Sequence, residues 1–224
     1  MKSALLIHGL SSSGETWWRV ADALGAAGYQ VTAPDLPGHG ASPAAERYRF
    51  ADYAAALPEG PFDLVVGHSL GGAIAVTAAD RAQRLVLLDP VLEVAAAEWD
   101  AVRADQIAEL DLTAAQLDAD KPHWDARDRA GKLAAVQAAD RRMVGATFDD
   151  NPGWNVVAEA EALTVPTLIL GGDHAVYSML ATETVEAIAT ANPLVEYRVV
   201  TGAGHSPHRD RPRETIAALM AFAD

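Results

Sequence analysis

The 224-residue chain contains no cysteine. This excludes disulfides, a thiolate nucleophile and a thiolate metal site, and it permits a reducing compartment. Basic residues are scarce too: 17 Lys and Arg stand against 31 Asp and Glu, a formal net charge of −14. Phosphate backbones and anionic lipid surfaces need a basic face, so neither nucleic acid nor a membrane is an expected partner. Long hydrophobic runs are also missing. The first apolar stretch, Ala4-Leu5-Leu6-Ile7, is cut short by His8-Gly9. That is too brief for a signal peptide or a membrane span, and a cytoplasmic setting is expected. There are no internal repeats and no low-complexity tracts. What the chain does have is apolar content: half of its residues, ample for a buried core in one or at most two domains.

Short apolar runs alternate with amphipathic or alanine-rich stretches, which is the habit of βαβ units around a buried, mostly parallel sheet. Six strands are predicted, at residues 3–8, 29–33, 63–66, 84–88, 167–170 and 195–200. Helices are predicted at residues 15–27, 50–56, 70–83, 182–191 and 212–222. One section breaks the alternation. From Val91 to about Thr164 no strand is evident, while residues 110–117, 132–142 and 155–163 accept a helical period. The expected organisation is an α/β core over residues 1–90 and 165–224, with a helical insertion over 91–164 after the fourth strand. A structureless loop of that size would be unusual inside a compact domain.

The most informative run is Gly67-His68-Ser69-Leu70-Gly71. An apolar strand leads into the first glycine, a serine stands at the apex, and an alanine-rich helix leaves from the second, which is the strand–turn–helix setting of a G-x-S-x-G nucleophile elbow. A serine hydroxyl is a weak nucleophile at neutral pH, so it needs a base, and the base needs a third group to orient it. His205 suits the base: it lies in Thr201-Gly202-Ala203-Gly204-His205-Ser206-Pro207, directly after the last predicted strand. His208 begins the polar run His208-Arg209-Asp210-Arg211 and reads as a surface residue.

Two acids compete for the orienting role. Asp173 follows the apolar Leu168-Ile169-Leu170 and the pair Gly171-Gly172; Asp89 ends Leu85-Val86-Leu87-Leu88. Both satisfy the order Ser, Asp, His along the chain. The glycine pair favours Asp173 as a mobile turn that can aim a carboxylate, whereas Pro90 stiffens the other position. The oxyanion donors of this architecture are backbone N–H groups, one after the nucleophile and one in the loop after the first predicted strand, hence Leu70 and Leu10. His8 reads as a residue that holds that loop.

The segments His8-Gly9, Ala33 to Ser42 (A-P-D-L-P-G-H-G-A-S), Gly67-His68-Ser69-Leu70-Gly71-Gly72, Gly172-Asp173 and Gly204-His205 resemble the ordered motifs of the α/β-hydrolase superfamily across nearly the whole chain. The resemblance implies a three-layer fold and an acyl-enzyme mechanism, with Ser69 as nucleophile, His205 as general acid/base and Asp173 as its orienter. It implies that the insertion is a lid, and that Asp35, Gly38 and Gly40 shape a loop. No cofactor and no metal is implied. Family members usually carry two strands before the one leading into His-Gly; here that strand begins at residue 3, so six strands are expected instead of eight.

Trp99, Trp124 and Trp154 fall in the insertion, and Trp17 and Trp18 follow the oxyanion loop. Aromatics are mainly burial devices, yet together they suggest an apolar pocket, with the three insertion tryptophans as substrate-binding candidates. The charged stretch Asp125 to Arg129 reads as the solvated face of a lid helix. The expected partner is a small, largely apolar substrate with an ester-type bond (carboxylic ester, thioester or lactone), and the protein a monomer or homodimer. The alternatives are a carbon–carbon or amide hydrolase of the same superfamily, and a non-catalytic small-molecule receptor on the same fold.

Overall fold

The computed structural model describes residues 1–223; Asp224, the last residue of the expected core segment, lies outside them. Six strands form one sheet: β1 (Lys2–Ile7), β2 (Tyr29–Thr32), β3 (Leu64–His68), β4 (Leu85–Leu88), β5 (Thr167–Gly171) and β6 (Val195–Val199). Their order is β2-β1-β3-β4-β5-β6, and every pairing is parallel. Parallel strands must be joined by crossovers that cover both faces, so the inner strands are apolar throughout rather than alternating. Leu64, Val66, Val86, Leu88, Leu168 and Leu170 point to one face, and Val65, Leu85, Leu87 and Ile169 to the other; all are buried.

The first face is covered by α1 (Trp18–Ala26) and α11 (Pro212–Ala223), through Val20, Leu24 and Leu219. The second is covered by α2 (Phe50–Ala56), α3 (Leu70–Thr77) and α9 (Thr182–Ala191), through Tyr53, Leu70, Ile74, Val185 and Ile188. Each such side chain taken out of water stabilises the fold by about 1.5–3 kcal/mol before entropy is counted. The result is the parallel α/β sheet that the alternation predicted, in the three layers that the resemblance implied.

Between β4 and β5 run five helices: α4 (Trp99–Ala108), α5 (Ala114–Asp120), α6 (Ala126–Ala138), α7 (Arg141–Asp150) and α8 (Val157–Glu161). Their boundaries differ from the predicted ones for local reasons. The expected helix at 110–117 is split, because Thr113 forms a capping box with Gln116 and so opens a new helix. The expected helix at 132–142 breaks at Ala139, where the Asp140 carboxylate caps the Arg142 N–H and starts α7. Helix α4 buries no residue fully, so its sequence carries no apolar stripe to read. Met143, Val144 and Phe148 of α7, together with Trp154, join the same apolar cluster as the second sheet face.

Because all strands are parallel, the residues just past β3, β4, β5 and β6 emerge at one edge. That edge receives Ser69, Asp89, Asp173 and His205.

Candidate active site

Ser69 has φ 55° and ψ −121°, a region that a residue with a side chain avoids without strong constraint. The constraint is packing on both sides of the turn. A Cβ at Gly67 would lie 2.3 Å from the Gly71 carbonyl oxygen, and one at Gly71 would lie 2.1 Å from the Ile7 oxygen and 2.6 Å from that of His8. Only glycine lets α3 leave the turn so close to β1. The serine carbonyl then accepts the Gly72 and Ala73 N–H groups at 2.9 and 3.3 Å, starting the helix.

His205 Nε2 lies 3.0 Å from Ser69 Oγ, and His205 Nδ1 lies 2.6 Å from Asp89 Oδ2. An ionised carboxylate only accepts, so Nδ1 carries the proton and Nε2 presents its lone pair to the serine hydroxyl. Asp89 is 0% exposed and accepts three further hydrogen bonds, from the Gly172 N–H (2.8 Å), the Ser178 hydroxyl (2.6 Å) and the Met179 N–H (3.1 Å). Burial pushes the Asp89 carboxyl up, but the bond and charge of His205, with Ser178 and Gly172, outweigh it and hold the group below the usual carboxylate range.

Asp173, the acid that the resemblance implied, does not reach His205. Its carboxylate is partly exposed and turns back on its own loops, accepting the Ala175 and Gly202 N–H groups at 2.9 Å each. Those backbone bonds hold it below the ordinary range. The glycine pair has a different job from the expected one. A Cβ at Gly172 would sit 2.7 Å from the Gly204 carbonyl oxygen, so the glycine lets the β5 loop approach the histidine loop and deliver its N–H to Asp89. Asp89 itself sits at φ 39°, a left-handed turn that Asp tolerates better than most residues.

Leu10 and Leu70 flank the serine. Leu70 is the first residue of α3, whose N–H has no intrahelical acceptor. Leu10 lines the same cavity as Ser69. Among the described residues neither N–H is taken by another protein group. His8 holds the Leu10 loop: Nδ1 donates to the Gly9 carbonyl at 2.8 Å while Nε2 accepts the Leu36 N–H at 3.0 Å. Desolvation lowers its pKa to about 4, keeping the ring neutral and both bonds intact. His68, inside the elbow, donates from Nε2 to the His205 carbonyl at 2.7 Å and pins the histidine loop; burial, His208 and His205 push it well below its usual value. No cluster of three or more His, Asp or Glu side chains among the described residues is arranged as a metal ligand set.

Residues 4–219 match the alpha/beta hydrolase family. The chain belongs to that family. Lipase LipV of Mycobacterium tuberculosis is 40% identical over 99 residues, 39% of this chain and 37% of LipV. The chain thus spans about a third of the length of the curated relatives it matches first. Among solved structures, an N-formylmaleamic acid deformylase from Pseudomonas putida S16 has a TM-score of 0.76 at 25% identity, covering 98% of this chain and 91% of that one. An esterase from Exiguobacterium antarcticum reaches 0.80 at 17% identity, covering 100% and 92%, a likeness of fold.

Two cavities open on Ser69 in this alpha/beta hydrolase. One, of about 190 Å³, is lined by Leu10, His68, Ser69 and His205 from the core and by Glu109, Trp124 and Lys132 from the insertion. The other is a narrow apolar cleft lined by Val91, Val94, Phe148, Trp154 and Met179. Of the three insertion tryptophans, Trp124 and Trp154 therefore reach the site. Trp99 does not: it stacks edge-on against Phe148 and faces a separate surface hollow with Asp100 and Pro152.

Several polar residues are buried against expectation. His208 is no surface residue; it is stacked on Trp17 at 4.8 Å and edge-on to His68 at the same distance. Asp128, read as part of a solvated face, is buried and accepts the Trp18 indole N–H at 2.8 Å, which ties α6 to α1. The residues that sequence reasoning missed are Ser178 and Met179, which hold Asp89, and Arg209 and Lys132, which line the cavity. Ser178 carries no sequence signal. The buried run His208-Arg209-Asp210 follows His205 closely, and that proximity was its one legible sign.

Among the described residues no helix is long and apolar enough to cross a membrane.

Proposed function

We propose that the protein is a serine hydrolase that cleaves an ester-type bond of a small substrate through an acyl-enzyme. The reading is carried by one observation: a continuous hydrogen-bonded line from Ser69 Oγ through His205 to the buried Asp89, opening on a cavity. In this reading Ser69 Oγ attacks the acyl carbonyl while His205 Nε2 takes the hydroxyl proton. Asp89 keeps the imidazole in the productive tautomer and stabilises its charge. The carbonyl oxygen, now an anion, is bound by the Leu10 and Leu70 N–H groups. The tetrahedral intermediate expels the leaving group, which receives the proton from His205. Water then enters and attacks the acyl carbon while His205 Nε2 takes its proton; the bond from the acyl carbon to Ser69 Oγ breaks, His205 returns the proton to Oγ, and the carboxylic acid leaves.

Likeness to a lipase over part of the chain supports ester action. The deformylase, similar over nearly the full length, favours a second reading in which the same groups act on an amide. The test is direct. A serine-directed fluorophosphonate should label Ser69, and Ser69→Ala should abolish both labelling and cleavage of short p-nitrophenyl esters, a loss of roughly 10⁴-fold or more. Unchanged ester turnover in Ser69→Ala would defeat the reading. Higher kcat/KM on N-acyl amides than on matched esters would shift it to the second.

A further inference from the structure

Arg209 lies in the four-residue helix α10 (Pro207–Asp210) and is 4% exposed. Its guanidinium is a permanent cation with five N–H donors. One is used: Nη2 donates to Ser12 Oγ at 3.2 Å. Nε is fully buried and has no acceptor among the described residues. The three carboxylates whose charge acts on it are all engaged elsewhere. Asp128 accepts from Trp18 and Arg19, Glu109 pairs with Lys132 at 2.9 Å, and Asp210 accepts from His123, Trp124 and the Gly204 N–H. A buried cation with so few acceptors is costly to hold, and Nε is enclosed by protein, which leaves the terminal nitrogens to meet a ligand.

Arg209 lines the cavity that contains Ser69. The formally charged side chains of that lining are Lys121, Lys132, Arg209 and Glu109. Lys132 and Glu109 offset each other, which leaves Arg209 and Lys121. Both sit by the Trp124 ring, at 5.1 and 5.4 Å from its centre. In a molecule of net charge −14 the lining beside the nucleophile thus carries two cations besides its one ion pair, with the Asp128 and Asp210 carboxylates behind them. From this we infer that Arg209 binds a carboxylate of the substrate, so that the bond attacked by Ser69 belongs to a short acid bearing a free carboxylate. The planar fork of Arg suits a carboxylate in bidentate geometry. The cavity volume, about 190 Å³, lies below the ~300–1,000 Å³ of drug-sized sites and calls for a compact ligand.

This inference rests on the serine hydrolase reading, and its test separates the two. The kcat/KM values of two p-nitrophenyl esters of equal acyl length, the neutral butyrate and the carboxylate-bearing hemisuccinate, should be compared in wild type, Arg209→Lys and Arg209→Met. Wild type should prefer the hemisuccinate at least tenfold. Arg209→Met should lower that ratio about 10- to 100-fold, the range of a charge-assisted hydrogen bond, and Arg209→Lys by less. Free succinate should compete with the butyrate ester in wild type. A wild-type ratio of one or below, without inhibition by succinate, overturns the inference while the hydrolase reading stands. If Arg209→Met does not fold, the wild-type ratio and succinate competition still decide. If neither ester is cleaved and Ser69 is not labelled, the hydrolase reading fails. Calorimetric titration of succinate into wild type and Arg209→Lys then tests the anion site alone, and absence of heat overturns it.

Discussion

At the scale of single residues, the chemistry turns on which carboxylate His205 meets. Asp89 is buried and bonded four times, whereas Asp173 is partly exposed and spends both oxygens on backbone N–H groups. A neutral Asn at position 89 would leave the shape intact but let the imidazole take the wrong tautomer, with Nε2 protonated toward the serine. Ser178 holds the same carboxylate at 2.6 Å. Ser178→Ala should therefore cut kcat by a modest factor, on the order of tenfold, consistent with about 1–1.5 kcal/mol for one hydrogen bond, with KM little changed. Steady-state kinetics on a short ester checks this. An unchanged kcat would mean that the Gly172 and Met179 N–H groups suffice.

At the scale of elements, the elbow is a junction of β3 and α3 pressed against the end of β1. A methyl group at Gly71 would overlap the Ile7 carbonyl, which cannot yield without moving β1 and the Gly9-Leu10 loop behind it. Gly71→Ala should lower the thermal midpoint strongly and abolish labelling of Ser69, as read by scanning calorimetry and fluorophosphonate incorporation. A milder case is Asp140, which caps α7. Asp140→Ala should cost about 1 kcal/mol in urea unfolding, without loss of activity per folded molecule. Elements of this kind were partly legible. Strands β3, β4 and β5 announce themselves because both faces are buried, and the ranges 50–56 and 182–191 coincide with α2 and α9. The helices of the insertion were less legible, since their ends are set by single caps such as Thr113 and Asp140 rather than by apolar period.

The candidate site was legible where its signal is local. Ser69 and His205 stand in short glycine-rich turns whose meaning does not depend on distant residues. The acid was not, because two strand ends satisfy the same order, and the choice depends on the loop after β5 folding back to place Ser178 and Met179 on Asp89. His208-Arg209-Asp210 misled for the same reason. The run is polar in sequence and buried in space because Trp17, His123 and Trp124 come from far along the chain to cover it.

At the scale of the whole molecule, several histidines are buried and neutral. His8 is lowered to about 4 and His39 to about 3, both chiefly by desolvation, and His68 and His208 lie well below their usual value. Between about pH 6.5 and pH 4 the unfolded chain binds protons at these positions that the folded chain refuses. Stability is therefore full above about pH 6.5 and falls as the pH drops, with a slope of up to about 1.4 kcal/mol per pH unit for each histidine. Urea unfolding at pH 8, 6 and 5 should show a falling midpoint. A flat midpoint across that range would mean that these rings are hydrated or already protonated.

The line from Ser69 through His205 to Asp89 is tested most directly by the kcat of Asp89→Asn and Asp173→Asn on one short p-nitrophenyl ester, each variant first shown to be folded. Asp89→Asn should fall by roughly 10⁴-fold, the loss typical of a triad carboxylate turned into an amide, while Asp173→Asn stays within a few-fold of wild type. The reverse outcome, or an Asp89→Asn variant as active as wild type, would contradict the assignment.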